Sequence, residues 1–417
     1  MLKVKNFVFL VAVAAVFDYV STCTLSVDGI SPLFTQTFGS RAIVFKAHKN
    51  KVNFEDSVKA YCSDGELKVK IQEPYGNYFV SRIQNTVVFD CLNNEIKIRD
   101  VDYKNVHVSC AYEIKFKLYE SSTALPKCDG FNNYAIGFKH VDVGEEIKAG
   151  ICYDMDTLSL KFAMYVASSI NVRLFKKNHN YSVLPVSLDF DLKTNDLNNY
   201  FDLINKNSLN SALANQFQVE SLIQDESLRR EFQHSDTFNT IWWRQLREEN
   251  WRYFLEALDQ RTKSSKRSYL VSVGTYGNIS LPSATNNCTS PKPKLLTVKT
   301  SDTEVLVPAY MWAYVKSLAT DDVEEFVVIG HNSPYAEHPD HNPFCVVDMC
   351  DEIEWLNESK FGYLRRLPTL GYTFCCLPGE VANVIDHFPF TDMADSETTL
   401  KTVEEVTYYD RILEDDY

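Results

Sequence analysis

The chain has 417 residues, is 45% hydrophobic and 24% charged, and carries a formal net charge of −14. That composition supports a sizeable globular core and excludes a disordered, collagen-like or low-complexity chain, while the length suits two domains or one large domain with an elaboration. Acidity on this scale argues against a polyanionic partner unless positive charge is gathered locally.

At the N-terminus Lys3 and Lys5 precede the apolar run FVFLVAVAAVF, and small residues follow at Ser21 and Thr22 before Cys23. This is the pattern of a secretory signal, so residues 1–23 are expected to be removed. No later apolar run reaches the ~18 residues of a membrane span, and the mature chain is expected to be secreted, extracellular and free of the membrane. Setting Cys23 aside leaves ten cysteines: Cys62, Cys91, Cys110, Cys128, Cys152, Cys288, Cys345, Cys350, Cys375 and Cys376. An even set in an exported chain implies up to five disulfides. Sequons at Asn180, Asn278, Asn287 and Asn357 fit a glycosylated surface.

Residues 24–150 read as a β-rich region. ELKVKIQ (66–72), EIKIR (95–99) and YEIKFKLY (112–119) alternate apolar and charged residues, as half-buried strands do. Their basic residues, Lys68, Lys70, Lys97, Arg99, Lys115 and Lys117, stand on the solvent side, where they either hold phosphate or keep sheet edges soluble. Residues 151–390 form the next region. CYDMDTLSLKFAMYV suits strand or helix, and the Asn-rich stretch after it suits a surface excursion. Trp243, Leu246, Trp251, Phe254 and Leu258 recur at helical spacing and predict one long helix over 239–258. SYLVSVGTYGNISL, LVPAYMWAYVKSL and EEFVVIGHNSPY supply strand-like pieces. Residues 391–417 are an acidic tail, in which the stretch from 392 on carries nine carboxylates against two basic side chains.

Positive charge does gather in one place. Residues 229–267 hold nine Lys or Arg against six carboxylates, among them Arg244, Arg247, Arg252, Lys263, Lys266 and Arg267. A guanidinium matches phosphate oxygens in a bidentate way. The bland alternative is a solvated helix face.

Four stretches together give this zone a context: NWRYFLEAL (250–258), YLVSVGTYGNISLP (269–282), VPAYMWAYV (307–315) and VVIGHNSPY (327–335). In this order and spacing the chain resembles the secreted DNA/RNA non-specific endonucleases, over roughly residues 150 to 390. CVVDMCDEIEWL (345–356) and GYTFCC (371–376) resemble the cysteine-rich ending of insect members, and the whole is similar to the nuclease-like salivary proteins of tsetse flies. The resemblance implies an α+β fold: a ββα-metal core on a mixed or antiparallel sheet, with a β-rich N-terminal extension. It also implies a Mg²⁺ held by a helix asparagine, a role for which Asn239 is the candidate, with Asn250 and Glu256 nearby. Mg²⁺ takes oxygen ligands and keeps several waters while it contacts phosphate. The other reading of Asn239 is an N-cap of the helix.

The family's catalytic histidine, set in Arg-Gly-His, has no counterpart here. The corresponding stretch ALANQFQVESLIQDES contains no histidine, and the position falls near Gln218. An amide has no usable proton affinity, and losing a positioned base costs ~10²–10⁴-fold in rate. His234, five residues before Asn239, is the nearest substitute.

The expectation is therefore a secreted nuclease-like protein that binds double-stranded DNA and RNA, and single-stranded DNA more weakly, without sequence preference. The grip would come from Arg244, Arg247, Arg252, Lys263, Lys266 and Arg267, with Trp242 stacking on bases. Residual cleavage at most would remain. In saliva, such binding would thin a blood meal thickened by released DNA. The alternatives are an active Mg²⁺-dependent endonuclease with a relocated base, and a secreted pseudoenzyme that binds another protein.

Overall fold

The computed structural model describes residues 22–38, 41–47, 49–72, 78–99, 101–112, 116–140, 144–155, 159–168, 173–176, 190–191, 216–223, 228, 232, 238–281, 294–299, 304–319, 324–334 and 343–390. Residues 1–21 of the expected signal segment, the acidic tail, Asn180, Lys115, Arg229, Arg230, His234, Asn287 and Cys288 lie outside these residues. The chain divides into two compact units, Met1–Thr37 with Lys46–Glu113, and Phe38–Phe45 with Ile114–Tyr417. Among the described residues strands dominate, helices are few, and the strand pairings are mostly antiparallel, an α+β composition.

The first unit is built on two long strands, Ser57–Gln72 and Tyr78–Leu92, paired antiparallel from Ser57↔Asp90 to Gln72↔Tyr78. Val106–Cys110 joins the other edge of the first long strand, and Cys23–Val27 runs parallel to Val106–Cys110. The alternation read from the sequence holds. Leu67, Val69, Ile71, Ile96 and Ile98 are buried, while Lys68, Lys70 and Lys97 are half-exposed and Arg99 is exposed. Between Leu92 and Glu95, Asn93 and Asn94 both take positive φ, 52° and 62°, as a two-residue hairpin turn requires. Disulfides Cys23–Cys91 and Cys62–Cys110 staple this unit.

The second unit is organised by a nine-stranded antiparallel sheet. Its order is Phe190–Asp191, Lys117–Ser121, Asn132–His140, Gly144–Asp154, Ser159–Ala167, Tyr269–Asn278, Pro308–Ser317, Glu325–His331 and Thr373–Cys376. The strands from 117 to 154, read from the sequence as part of the N-terminal region, belong to this sheet. Cys128–Cys152, Cys345–Cys376 and Cys350–Cys375 close it.

The disulfide count matches the expectation, but the membership does not. Cys23, on a folded strand, is bonded to Cys91, so among the described residues the paired set includes the cysteine that had been set aside. Five disulfides fit an extracellular protein. Among the described residues, no helix is long and apolar enough to cross a membrane.

Side chains that alternate along the central strands divide the sheet into two faces. On one, Phe162, Met164, Trp312, Tyr314, Val327, Ile329 and Phe374 pack against Phe344, Ile385 and Phe388. Onto the other pack a short hairpin and the helices that follow it. The chain passes so close there that a Cβ on Gly330 would come within 2.9 Å of Leu246.

Candidate nucleic-acid interface

The described residues between 216 and 265 form two paired strands followed by two helices. Phe217–Ser221 pairs antiparallel with Asn239–Trp243, in register from Phe217↔Trp243 to Ser221↔Asn239, and Arg244 N donates to Gln216 O to close it. The helix expected over 239–258 thus begins later. Asn239–Trp243 is a strand, Arg244–Glu248 is a first short helix, and Asn250–Ser265 is the long one, separated by Glu249 at φ −116°, ψ −98°. Thr240, Ile241, Trp242 and Trp243 are buried in succession, a run that suits a strand covered on both faces. The long helix forms because Trp251, Phe254, Ala257, Leu258 and Thr262 bury one stripe. It ends at Lys266 in the left-handed region.

Asn239 is therefore neither a helix ligand nor an N-cap. It starts the second hairpin strand, half-buried, opposite Ser221. The first helix has Trp243 at its cap position and no side-chain cap bond. Gln218 lies opposite Trp242, half-exposed, on the first strand of the pair. Glu256 sits on the solvent side of the long helix, ion-paired to Arg252 at 2.9 Å. Among the described residues, the single group of His, Cys, Asp or Glu with metal-ligand spacing is Asp348, Cys350 and Cys375, and those two thiols are joined in a disulfide.

Trp242 cannot stack on a base. It is fully buried, its ring lies 5.3 Å from Trp251, and the Arg247 guanidinium sits 5.8 Å from its centroid. The aromatic row continues through Phe254 to Phe361, tying the long helix to the short helix Lys360–Leu364.

The six cations proposed as phosphate contacts fall into three sets. Arg244 and Arg247 lie in the first helix, both half-buried, immediately after the hairpin. Arg252 and Lys263 stand on the solvent face of the long helix but hold intrahelical partners, Arg252 to Glu256 and Lys263 to Asp259 at 2.6 Å. Exposed pairs of this kind contribute about 0.3–0.5 kcal/mol, so a phosphate could replace the carboxylate at small cost. Lys266 and Arg267 sit at the far end of the helix.

Two asparagines fix this zone, and sequence reasoning gave neither that role. Asn332 is fully buried. Its Oδ1 accepts from Trp243 N at 2.6 Å, and its Nδ2 donates to Ile241 O and Pro308 O, both at 2.9 Å. Asn250, expected near a metal site, is also fully buried, and its Nδ2 donates to Gly371 O at 2.6 Å and Leu364 O at 3.2 Å. For Asn332 the available signal was an amide two residues after the apolar run FVVIG, where a buried polar group must find partners.

Behind Asn250, Arg365 is 1% exposed and pairs with Asp348 and Asp351. Hydrogen bonding from Arg365 holds the Asp351 carboxyl below its ordinary range. Asp348 Oδ1 also accepts from Cys350 N and Cys375 N, both at 3.1 Å.

The nearest described imidazole in the Asn332 motif is His331. Strand alternation turns it away from Gly330 and the helix, onto the face where Tyr310 lies 5.2 Å away and packs on Phe344. Burial lowers its pKa. Of the sequons, Asn278 and Asn357 are exposed.

A comparison of the chain with models of known protein families gives no match, and a comparison with curated proteins gives none.

Proposed function

We propose that the protein is a secreted, nuclease-like protein that binds the phosphate backbone of double-stranded DNA and RNA, and single-stranded DNA more weakly, with residual cleavage at most. One observation carries this reading. Two paired strands, Phe217–Ser221 and Asn239–Trp243, are followed directly by a short helix that carries Arg244 and Arg247, and this order supports reading the segment as a ββα-like unit in which Gln218 stands in for the family's histidine. The cations supply charge-assisted contacts to phosphate oxygens, and the amide at 218 supplies no base. Binding through the backbone is blind to sequence and falls steeply with salt. Release into saliva, where the protein would thin a meal rich in host DNA, is the setting we propose for it.

The test is one preparation assayed twice. A gel-shift titration with duplex DNA should show affinity falling linearly on a log–log plot against salt, equally with Mg²⁺ or EDTA. Plasmid incubated with Mg²⁺ should stay almost entirely intact. No retardation in dilute buffer would end the binding reading, and rapid Mg²⁺-dependent cleavage would establish the active-enzyme alternative.

A further inference from the structure

The segment from Trp243 to Asn250 is tethered at both ends by buried amides. At its start, Asn332 accepts from the Trp243 backbone and donates to Ile241 O, while its second N–H holds Pro308 O of the sheet. At its end, Asn250 donates to Leu364 O and Gly371 O of the disulfide-stapled C-terminal segment. Between the two tethers lie the short helix Arg244–Glu248 and Glu249. Leu246 plugs the middle, fully buried against Gly330 and Gly371, where a Cβ on Gly371 would come 2.6 Å from Leu246 Cα.

A five-residue helix has little stability of its own, since nucleation is costly and few hydrogen bonds repay it. Its orientation must come from its anchors. Asn332 is better suited to this than an apolar residue, because an amide with three directional bonds fixes both height and register. A hydrocarbon side chain would fix neither.

We propose that Asn332 is a positioning residue for nucleic-acid binding: it sets the strand–helix junction so that Arg244 and Arg247 meet adjacent phosphates, with Asn250 holding the other end. This rests on the binding reading above and names what preorganises that site. Asn332 touches no ligand itself. Loss of the tether would let the junction shift, and the two guanidinium groups would then no longer match the phosphate spacing together.

The experiment is a double-mutant cycle read by duplex affinity and its salt slope, using Asn332→Ser, Arg244→Gln with Arg247→Gln, and all three together. Folding is checked by near-ultraviolet circular dichroism of the tryptophan cluster. Asn332→Ser should weaken duplex binding on the order of tenfold and flatten the salt slope in the wild-type background, and should do almost nothing once the arginines are gone. An equal loss in both backgrounds would make Asn332 a general structural residue and overturn the proposal. So would no loss in the first. If Asn332→Ser does not fold, Asn250→Ser, which frees the opposite end, must show the same coupling. Failure of both to fold would make the amides fold determinants only. Wild-type protein that ignores duplex DNA would instead remove the binding reading itself, a different result from a wild type that binds without coupling.

Discussion

The two faces of the nine-stranded sheet are covered by different chemistry. On one, Trp312 and Tyr314 meet Phe388 at 5.1 and 5.3 Å between ring centroids, and aromatic and aliphatic side chains complete the layer. On the other, Trp251 and Leu246 press on Gly330, but Asn332 and Asn250 are buried among them. Hydrocarbon packing is strong and weakly directional, whereas a buried amide is directional and costs about 1–3 kcal/mol for each group left unsatisfied. The apolar face is built to close a core. The amide-bearing face is built to hold a hairpin and helix in one orientation.

Truncation of one large buried ring on each face breaks this comparison most sharply. Trp251→Ala and Phe388→Ala should each lower stability by about 3–5 kcal/mol in urea titrations, because both side chains are almost wholly buried. At temperatures where both variants remain folded, only Trp251→Ala should also weaken duplex binding. Equal losses of binding would show that the two faces do not differ in function.

Next in size is Asp348→Asn, which weakens the hold on buried Arg365 and removes a charge beside the anchor of Asn250. Breaking a buried pair costs about 3–5 kcal/mol when the remaining charge has no other partner. Asp351 still contacts Arg365, so the loss should fall at the low end of that range. A midpoint unchanged in chemical denaturation would mean the network contributes little.

The apolar face contains its own titrating group. Burial pushes His387 down from 6.5 to about 4, with Lys161 adding to the shift and Asp386 opposing it. The unfolded chain therefore takes up the proton first. Stability associated with neutral His387 is complete above about pH 6.5 and is lost as pH falls toward 4, by about 3 kcal/mol in all. His387→Gln should remove that part of the slope from stability measured between pH 7 and 4. A slope identical to wild type would place the acid sensitivity elsewhere.

The sequence shows the two faces unequally. Period-two alternation reveals the strands, and the segments YLVSVG, VPAYMWAYV and VVIGHN all fall on the central sheet. The hairpin was hidden because Thr240, Ile241, Trp242 and Trp243 are buried one after another, and such a run carries no period that separates strand from helix. Joined to Leu246, Trp251 and Phe254, it reads as one continuous helix. The burial of Trp242 and the tether at Asn332 depend on contacts across 9 and 89 residues, Trp242 with Trp251 and Trp243 with Asn332, which no local pattern encodes. Cysteine counting gave the right number of bridges, because eleven cysteines allow at most five pairs whichever one is left over. It misplaced Cys23, because a signal boundary and a strand start use the same small residues.

The smallest predicted effect tests whether the exposed helix surface adds to the tethered junction. Arg252 donates from Nε to Glu248 O at 2.7 Å and pairs with Glu256 across one turn, at about half exposure for both partners. Glu256→Gln removes the competing carboxylate while leaving Arg252 and its backbone bond in place. Stability should change by only about 0.3–0.5 kcal/mol, the usual worth of such a pair. If Arg252 reaches phosphate, the freed guanidinium should raise duplex affinity a few-fold and steepen the salt slope by up to about one. If affinity stays the same, recognition is confined to the junction between the two tethers, and the charge on the long helix serves its own solubility.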